Sequence, residues 1–153
     1  VRMATYYSDK ANVEGTKTPK GGLNLIADVC TFDIGTALAT NDIIKLFKLP
    51  KGASVVGLTG CGRGVQSGTD AVFTIGDATD PDRFWDTSLG NTLSSTTFDH
   101  YLFLGRGRYG ATEGVFNSYD EATDVEMKIT TGGTGMATGG QIVMAIFYTM
   151  LPN

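Results

Sequence analysis

One histidine, His100, and two cysteines, Cys30 and Cys61, are the side chains best suited to nucleophilic or acid–base chemistry. A catalytic Ser or Cys needs a base within hydrogen-bond reach and a third group that orients the base. His100 lies in an aromatic stretch typical of a strand, and the sequence contains no Gly-x-Ser-x-Gly elbow. Both cysteines lie in apolar, strand-like stretches where buried free thiols are favoured, although a bridge between them stays open. These residues predict a protein that is not an enzyme.

Three carboxylates, Asp77, Asp80 and Asp82, fall together in a stretch that reads as a turn. Oxygen ligands at such spacing can hold Ca²⁺, which makes the three residues weak calcium candidates. The Gly and the terminal Glu of an EF-hand loop are absent, so a solvated acidic turn is the favoured interpretation. Zinc is excluded, because its structural sites need four closely spaced Cys or His ligands. The sequence therefore predicts no cofactor.

Arginines in Gly-rich segments are candidates for partner binding. The segment from Gly105 to Gly110 formally fits Gly-x-Gly-x-x-Gly, but no helix or βαβ unit is predicted around it, so the match is a coincidence of glycine abundance. Within it, Arg106 and Arg108 would project together, and Arg63 lies in a similar Gly-rich stretch. Guanidinium groups pair bidentately with carboxylates, so these three arginines could meet acidic groups of a partner.

The first 22 residues have no periodic apolar pattern and contain several Gly and Pro residues. We therefore expect residues 1–22 to form an extended N-terminal arm and residues 23–153 to form a single β-sandwich domain. Tyr6 and Tyr7 lie outside the predicted core, which makes them candidates for docking onto a neighbouring surface.

Charge narrows the class of partner. The net charge is −4, with +2 over residues 1–51 and −8 over residues 70–126. An acidic chain is a poor candidate for direct nucleic-acid binding, which needs clustered Lys and Arg, but its mildly basic start could dock onto acidic neighbours, including a second copy. No apolar run approaches the length of a membrane span, and no secretory signal is visible, so we expect a product that is made in the cytoplasm and stays inside the cell where it is made.

Short apolar segments that alternate with Gly, Asn, Asp, Ser and Pro turns dominate the chain. Ala71–Gly76 and residues 141–151 are the clearest strands, whereas residues 43–49 show no clean face and also permit a short helix. About eight short strands without a convincing long helix predict an all-β, jelly-roll-like β-sandwich.

The order of several short motifs resembles small head proteins of tailed bacteriophages, in particular capsid decoration or cement proteins. The motifs are Tyr7-Ser8-Asp9-Lys10, Thr31–Ile34, Ala39–Leu46, Leu49–Val56, Phe73–Asp77, Asp80–Phe84, Asp124–Ile129 and Gly140–Tyr148.

The resemblance implies a jelly roll, often a homotrimer, that binds the outside of the head and clamps neighbouring copies of the major capsid protein. It implies a location on the capsid surface of the virion, with no cofactor, no direct nucleic-acid contact and no membrane. It assigns no site residues. Two other hypotheses stay open: another virion component (a head fibre base, a minor coat subunit or a tail protein), or a carbohydrate-binding jelly roll.

Overall fold

The fold is all β in a computed structural model that describes residues 3–11, 25–63, 71–85, 92–93, 98–103, 118–133 and 139–150. No helix occurs among these residues, and so none that could cross a membrane. The strands are β1 (Thr5–Tyr7), β2 (Leu25–Ile34), β3 (Ile43–Leu49), β4 (Ala53–Arg63), β5 (Ala71–Gly76), β6 (Thr92–Leu93), β7 (Phe98–Phe103), β8 (Thr123–Thr131) and β9 (Gly140–Met150).

The strands form two sheets with the connectivity of a jelly roll. Sheet A has the order β1-β3-β8-β5-β6, and sheet B has the order β2-β9-β4-β7. From β2 to β5 and again from β6 to β9 the chain changes sheet at every connection, and only the β5–β6 connection stays within one sheet. All pairings except that of β1 with β3 are antiparallel. This confirms the predicted jelly-roll-like sandwich.

Alternating side chains from the two sheets build one core. In β8 the inward side chains are Val125, Met127 and Ile129, and in β9 they are Ile142, Met144, Ile146 and Tyr148, all fully buried. Burying one aliphatic or aromatic side chain contributes about 1.5–3 kcal/mol, so these buried side chains are a large part of what stabilises the sandwich. Because β8 and β9 are central in their sheets, each is flanked by a strand on both sides.

A β-bulge explains why apolar and polar residues do not alternate regularly over residues 43–49. A β-bulge between Lys45 and Phe47 shifts the register of β3 against β8. An extra residue on one strand changes which side chains face inward, and Leu46 and Phe47 are accordingly both buried although they are adjacent. The segment is therefore a strand with a change of phase, which settles the choice between strand and short helix.

The start of the chain is attached to the sandwich that it precedes. The sequence predicted that residues 1–22 lie outside the core, but β1 pairs in parallel with β3 and extends sheet A. Asp42 is buried and accepts hydrogen bonds from the backbone N–H groups of Ala4 (3.0 Å) and Ala39 (2.9 Å). Asp9 exchanges backbone and side-chain hydrogen bonds with Thr31 of β2. Residues 3–11 thus connect the edges of both sheets, and the division at residue 22 stays a prediction.

Candidate interaction surfaces

The acidic turn after β5 is built around one buried carboxylate. Asp77 Oδ1 accepts hydrogen bonds from the Thr79 backbone N–H (2.9 Å), the Thr79 hydroxyl (2.6 Å) and the Asp80 backbone N–H (2.9 Å). Asp77 Oδ2 accepts from Arg83 Nε (2.6 Å) and from the Tyr119 hydroxyl (3.0 Å). Tyr119 also exchanges backbone hydrogen bonds with Gly52 and Ala53 at the start of β4. The carboxylate therefore ties sheet A to a segment attached to sheet B.

These contacts decide the ionisation of Asp77. Burial alone would favour the neutral acid, but the hydrogen bonds from Thr79, Arg83, Asp80 and Tyr119 outweigh it and hold the pKa of Asp77 below its ordinary value. The turn is thus organised around an ionised, buried group, and the predicted solvated acidic turn does not describe Asp77.

The three calcium candidates are not brought together as ligands. Both oxygens of Asp77 already accept protein donors, whereas the carboxylate of Asp80 is about one-third exposed and lies 4.0 Å from Arg83. Within the described part of the chain, no group of three acidic, His or Cys side chains is placed to hold a metal ion. The geometry of the turn is explained by its own hydrogen bonds.

The two tyrosine candidates of the arm have different surroundings. The Tyr6 ring packs against the Phe32 ring, with 5.8 Å between centroids, and adds to the core. Tyr7 points the other way and is 52% exposed, with Lys45 Nζ 5.8 Å from its ring centroid. A cation at this distance is weakly attracted to the ring face. Of the two, Tyr7 is the side chain available to a partner.

Lys45 belongs to a charged outer face on sheet A. Its ammonium group lies 2.6 Å from Asp124 and 3.8 Å from Glu126, both on β8. The hydrogen bond to Asp124 raises the pKa of Lys45, and burial raises the pKa of Glu126. A shallow cleft on this face is lined by Ile43, Asp77, Ala78, Pro81, Glu126 and Lys128. Its mixed charges and openness favour no particular small ligand.

The outer face of sheet B is very different, and the sequence analysis did not single it out. Leu25, Ala27 and Val29 of β2 point outward and are exposed. Their register partners on β9 are Thr149, Phe147 and Ala145. The sequence offered one signal of this surface. In β2, the inward and the outward side chains are both largely apolar, which is unusual for a strand with one solvated face.

The remaining sequence candidates have varied positions. Arg63 ends β4 opposite Gln141, whereas Arg106 and Arg108 lie outside the described residues. His100 lies on β7.

Both cysteines are free thiols: Cys30 is buried, and Cys61 is half-buried. Burial raises the pKa of Cys30 to about 12, so its thiol is unreactive at neutral pH.

Comparisons with known proteins identify the fold. The sequence matches no protein-family model and no curated protein. Two solved structures share the fold over nearly the whole chain. A chain of the capsid of Ralstonia phage GP4 superposes with a TM-score of 0.69 at 20% identity, covering 98% of this chain and 100% of that one. A chain of the capsid of cyanophage Pam1 superposes with a TM-score of 0.65 at 18% identity, covering 94% and 97%. Each matched chain is thus about as long as this one.

Proposed function

We propose that this chain is a structural virion protein of a tailed bacteriophage, a decoration or cement protein that binds the outside of the head. It would stabilise contacts between subunits of the major capsid protein and act without catalysis or cofactor. The observation that carries the proposal is the full-length fold match to chains of similar size in two phage capsids. The motif order described above, which resembles cement proteins, supports the same function.

The described residues suit such a function. The sandwich has a filled core, a buried carboxylate at Asp77 that is held by hydrogen bonds, and two extended outer faces. An oligomer that binds a repeating lattice gains avidity, because engagement of one subunit raises the effective concentration of the linked subunits at their own sites. Partners of this kind are the major capsid protein and other copies of the same chain, for which a homotrimer is the proposed assembly.

The experiment that tests the proposed function is an add-back assay. Heads assembled without the chain are heated with and without the purified protein, and DNA release is followed by dye fluorescence. The proposal expects the release temperature to rise with added protein and to level off at saturation. An unchanged release temperature at every concentration would contradict it, and bovine serum albumin at equal mass serves as the non-binding control.

The two neighbouring tyrosines provide a prediction about the arm. Tyr7→Ala should leave the melting temperature of the isolated protein nearly unchanged, because the ring is 52% exposed, but should weaken attachment to heads. Tyr6→Ala should cost about 1–3 kcal/mol of unfolding free energy, because it removes a ring packed on Phe32. Thermal melts and co-sedimentation with heads measure the two effects. Full attachment of the Tyr7→Ala protein would remove Tyr7 from the contact surface.

A further inference from the structure

Across β2, β9 and β4, the outer face of sheet B has a central region of exposed and half-buried side chains, none of them charged. It consists of the outward side chains of β2, β9 and β4, which we call the neutral face: Leu25, Ala27, Val29, Thr31, Val143, Ala145, Phe147, Thr149, Thr59 and Cys61. Asp33 and Gln141, joined by a 2.7 Å hydrogen bond, lie beyond one end of it, and Arg63 is the register partner of Gln141 at that same end. Sheet A, by contrast, presents Lys45, Asp124 and Glu126 on its outer face.

From this asymmetry we infer that the neutral face is the surface through which a second copy of this chain binds. The inference deepens the proposed function by naming the surface that joins copies, and it rests on that function for the existence of an assembly. Copies of a chain with a net charge of −4 repel one another, so they associate best where no carboxylate is desolvated. The neutral face meets that condition.

The size of the neutral face fits a partner of the same kind. Outward positions on a sheet are about 6.8 Å apart along a strand and about 4.8 Å apart across strands, so the face covers about 330 Å² of sheet plane. That is close to two-fifths of the roughly 800 Å² that each partner contributes to a standard interface, and it matches the apolar centre of such an interface.

The timing of exposure also favours a second copy over the capsid shell as the occupant. The neutral face is a contiguous, largely apolar patch of a few hundred Å², and a patch of that size on a single chain is often a functional surface. The shell becomes available only after head assembly, whereas other copies of the chain are present as soon as it is made. A contact between copies therefore covers the face throughout the life of the protein.

The test is the native mass of the full chain and of two lysine variants, by sedimentation velocity at micromolar concentrations. The wild type is expected at a multiple of 16.2 kDa. Val29→Lys places an unpaired charge in the centre of the contact and should raise the dissociation constant at least about 100-fold. Thr5→Lys, the control, adds the same charge to an exposed outward position on β1 of sheet A and should leave the mass unchanged. Val29 is 52% exposed in a single copy, so the Val29→Lys chain should still fold. Circular dichroism checks the fold of both variants.

Thiol labelling gives a second readout on the unmodified protein. Cys61 belongs to the neutral face, so a bulky maleimide should label it at least about tenfold more slowly in the associated wild type than in Val29→Lys. Cys30 is buried in both and serves as the internal control.

A wild type of 16.2 kDa, or a Val29→Lys protein with the wild-type mass and labelling rate, would overturn the inference. Attachment of a single-chain wild type to heads would overturn only the inference, whereas association without any effect on heads would overturn only the proposed function.

Discussion

Replacing Asp77 by asparagine should lower the free energy of unfolding by about 3 kcal/mol at neutral pH. The substitution keeps the size of the side chain but leaves the Arg83 guanidinium without its carboxylate at 2.6 Å. Breaking a buried ion pair costs about 3–5 kcal/mol, and the lower end applies because Arg83 keeps 20% exposure. The hydroxyl of Tyr119 also loses a charged acceptor, so the link to the start of β4 is weakened. Chemical denaturation of wild type and variant measures the difference.

Asp124→Asn is the matched control for this prediction. Asp124 pairs with Lys45 at the same 2.6 Å distance, but both side chains are about one-quarter exposed. Exposed pairs contribute about 0.2–1 kcal/mol, so this variant should be nearly as stable as the wild type. If both variants lose the same free energy of unfolding, the burial of Asp77 does not strengthen its contribution to stability.

The pH dependence supplies an independent check on Asp77. Its pKa is lowered in the folded protein, so its contribution is complete above the ordinary carboxyl pKa of about 4 and is lost as the pH falls through the folded value. The stability difference between wild type and Asp77→Asn should therefore shrink below about pH 4 and be constant above about pH 5. A difference that grows on acidification would contradict the assignment.

Replacing Gly76 by alanine should be at least as damaging, with an expected loss of about 3 kcal/mol or more. An added Cβ would lie 2.0 Å from the Asp80 carbonyl oxygen and 2.5 Å from the carbonyl carbon of Pro81. These are backbone atoms of the turn that holds Asp77, so the turn itself has to move. The expected result is a lower melting temperature. In addition, Asp77→Asn should destabilise the Gly76→Ala protein less than it destabilises the wild type.

Gly35→Ala is the control for Gly76→Ala. Among the described residues other than its chain neighbours, no atom lies within 4 Å of the Cβ position at Gly35, so alanine should be neutral or stabilising by up to about 1 kcal/mol through the unfolded chain. If the Gly76→Ala protein has the same melting temperature as the Gly35→Ala protein and the wild type, the turn does not pack on β5 as described.

The features that were predictable from sequence are those that depend on local alternation. Ala71–Gly76 was predicted with its observed limits, and residues 141–151 differ from β9 by one residue at each end. The jelly-roll-like class followed from the number of such strands and their turn residues. Alternation is set by the two-residue period of a strand and needs no knowledge of partners.

The features that sequence could not supply depend on distant partners. The role of Asp77 requires Tyr119, which is 42 positions away in the chain. The attachment of β1 requires Asp42, whose carboxylate reaches Ala4 across 38 positions. The neutral face becomes a surface only when β2 and β9 are aligned in register. In each case the residue type was visible, but its neighbours are determined by the topology.

The proposed function requires that this chain lies on the outer surface of a phage head. The most direct measurement is a pair of electron cryomicroscopy reconstructions of heads assembled with and without it. We expect difference density on the outside of the shell, over contacts between capsid subunits, into which the two-sheet sandwich fits. Identical shells, or difference density confined to the interior or the tail, would contradict the claim.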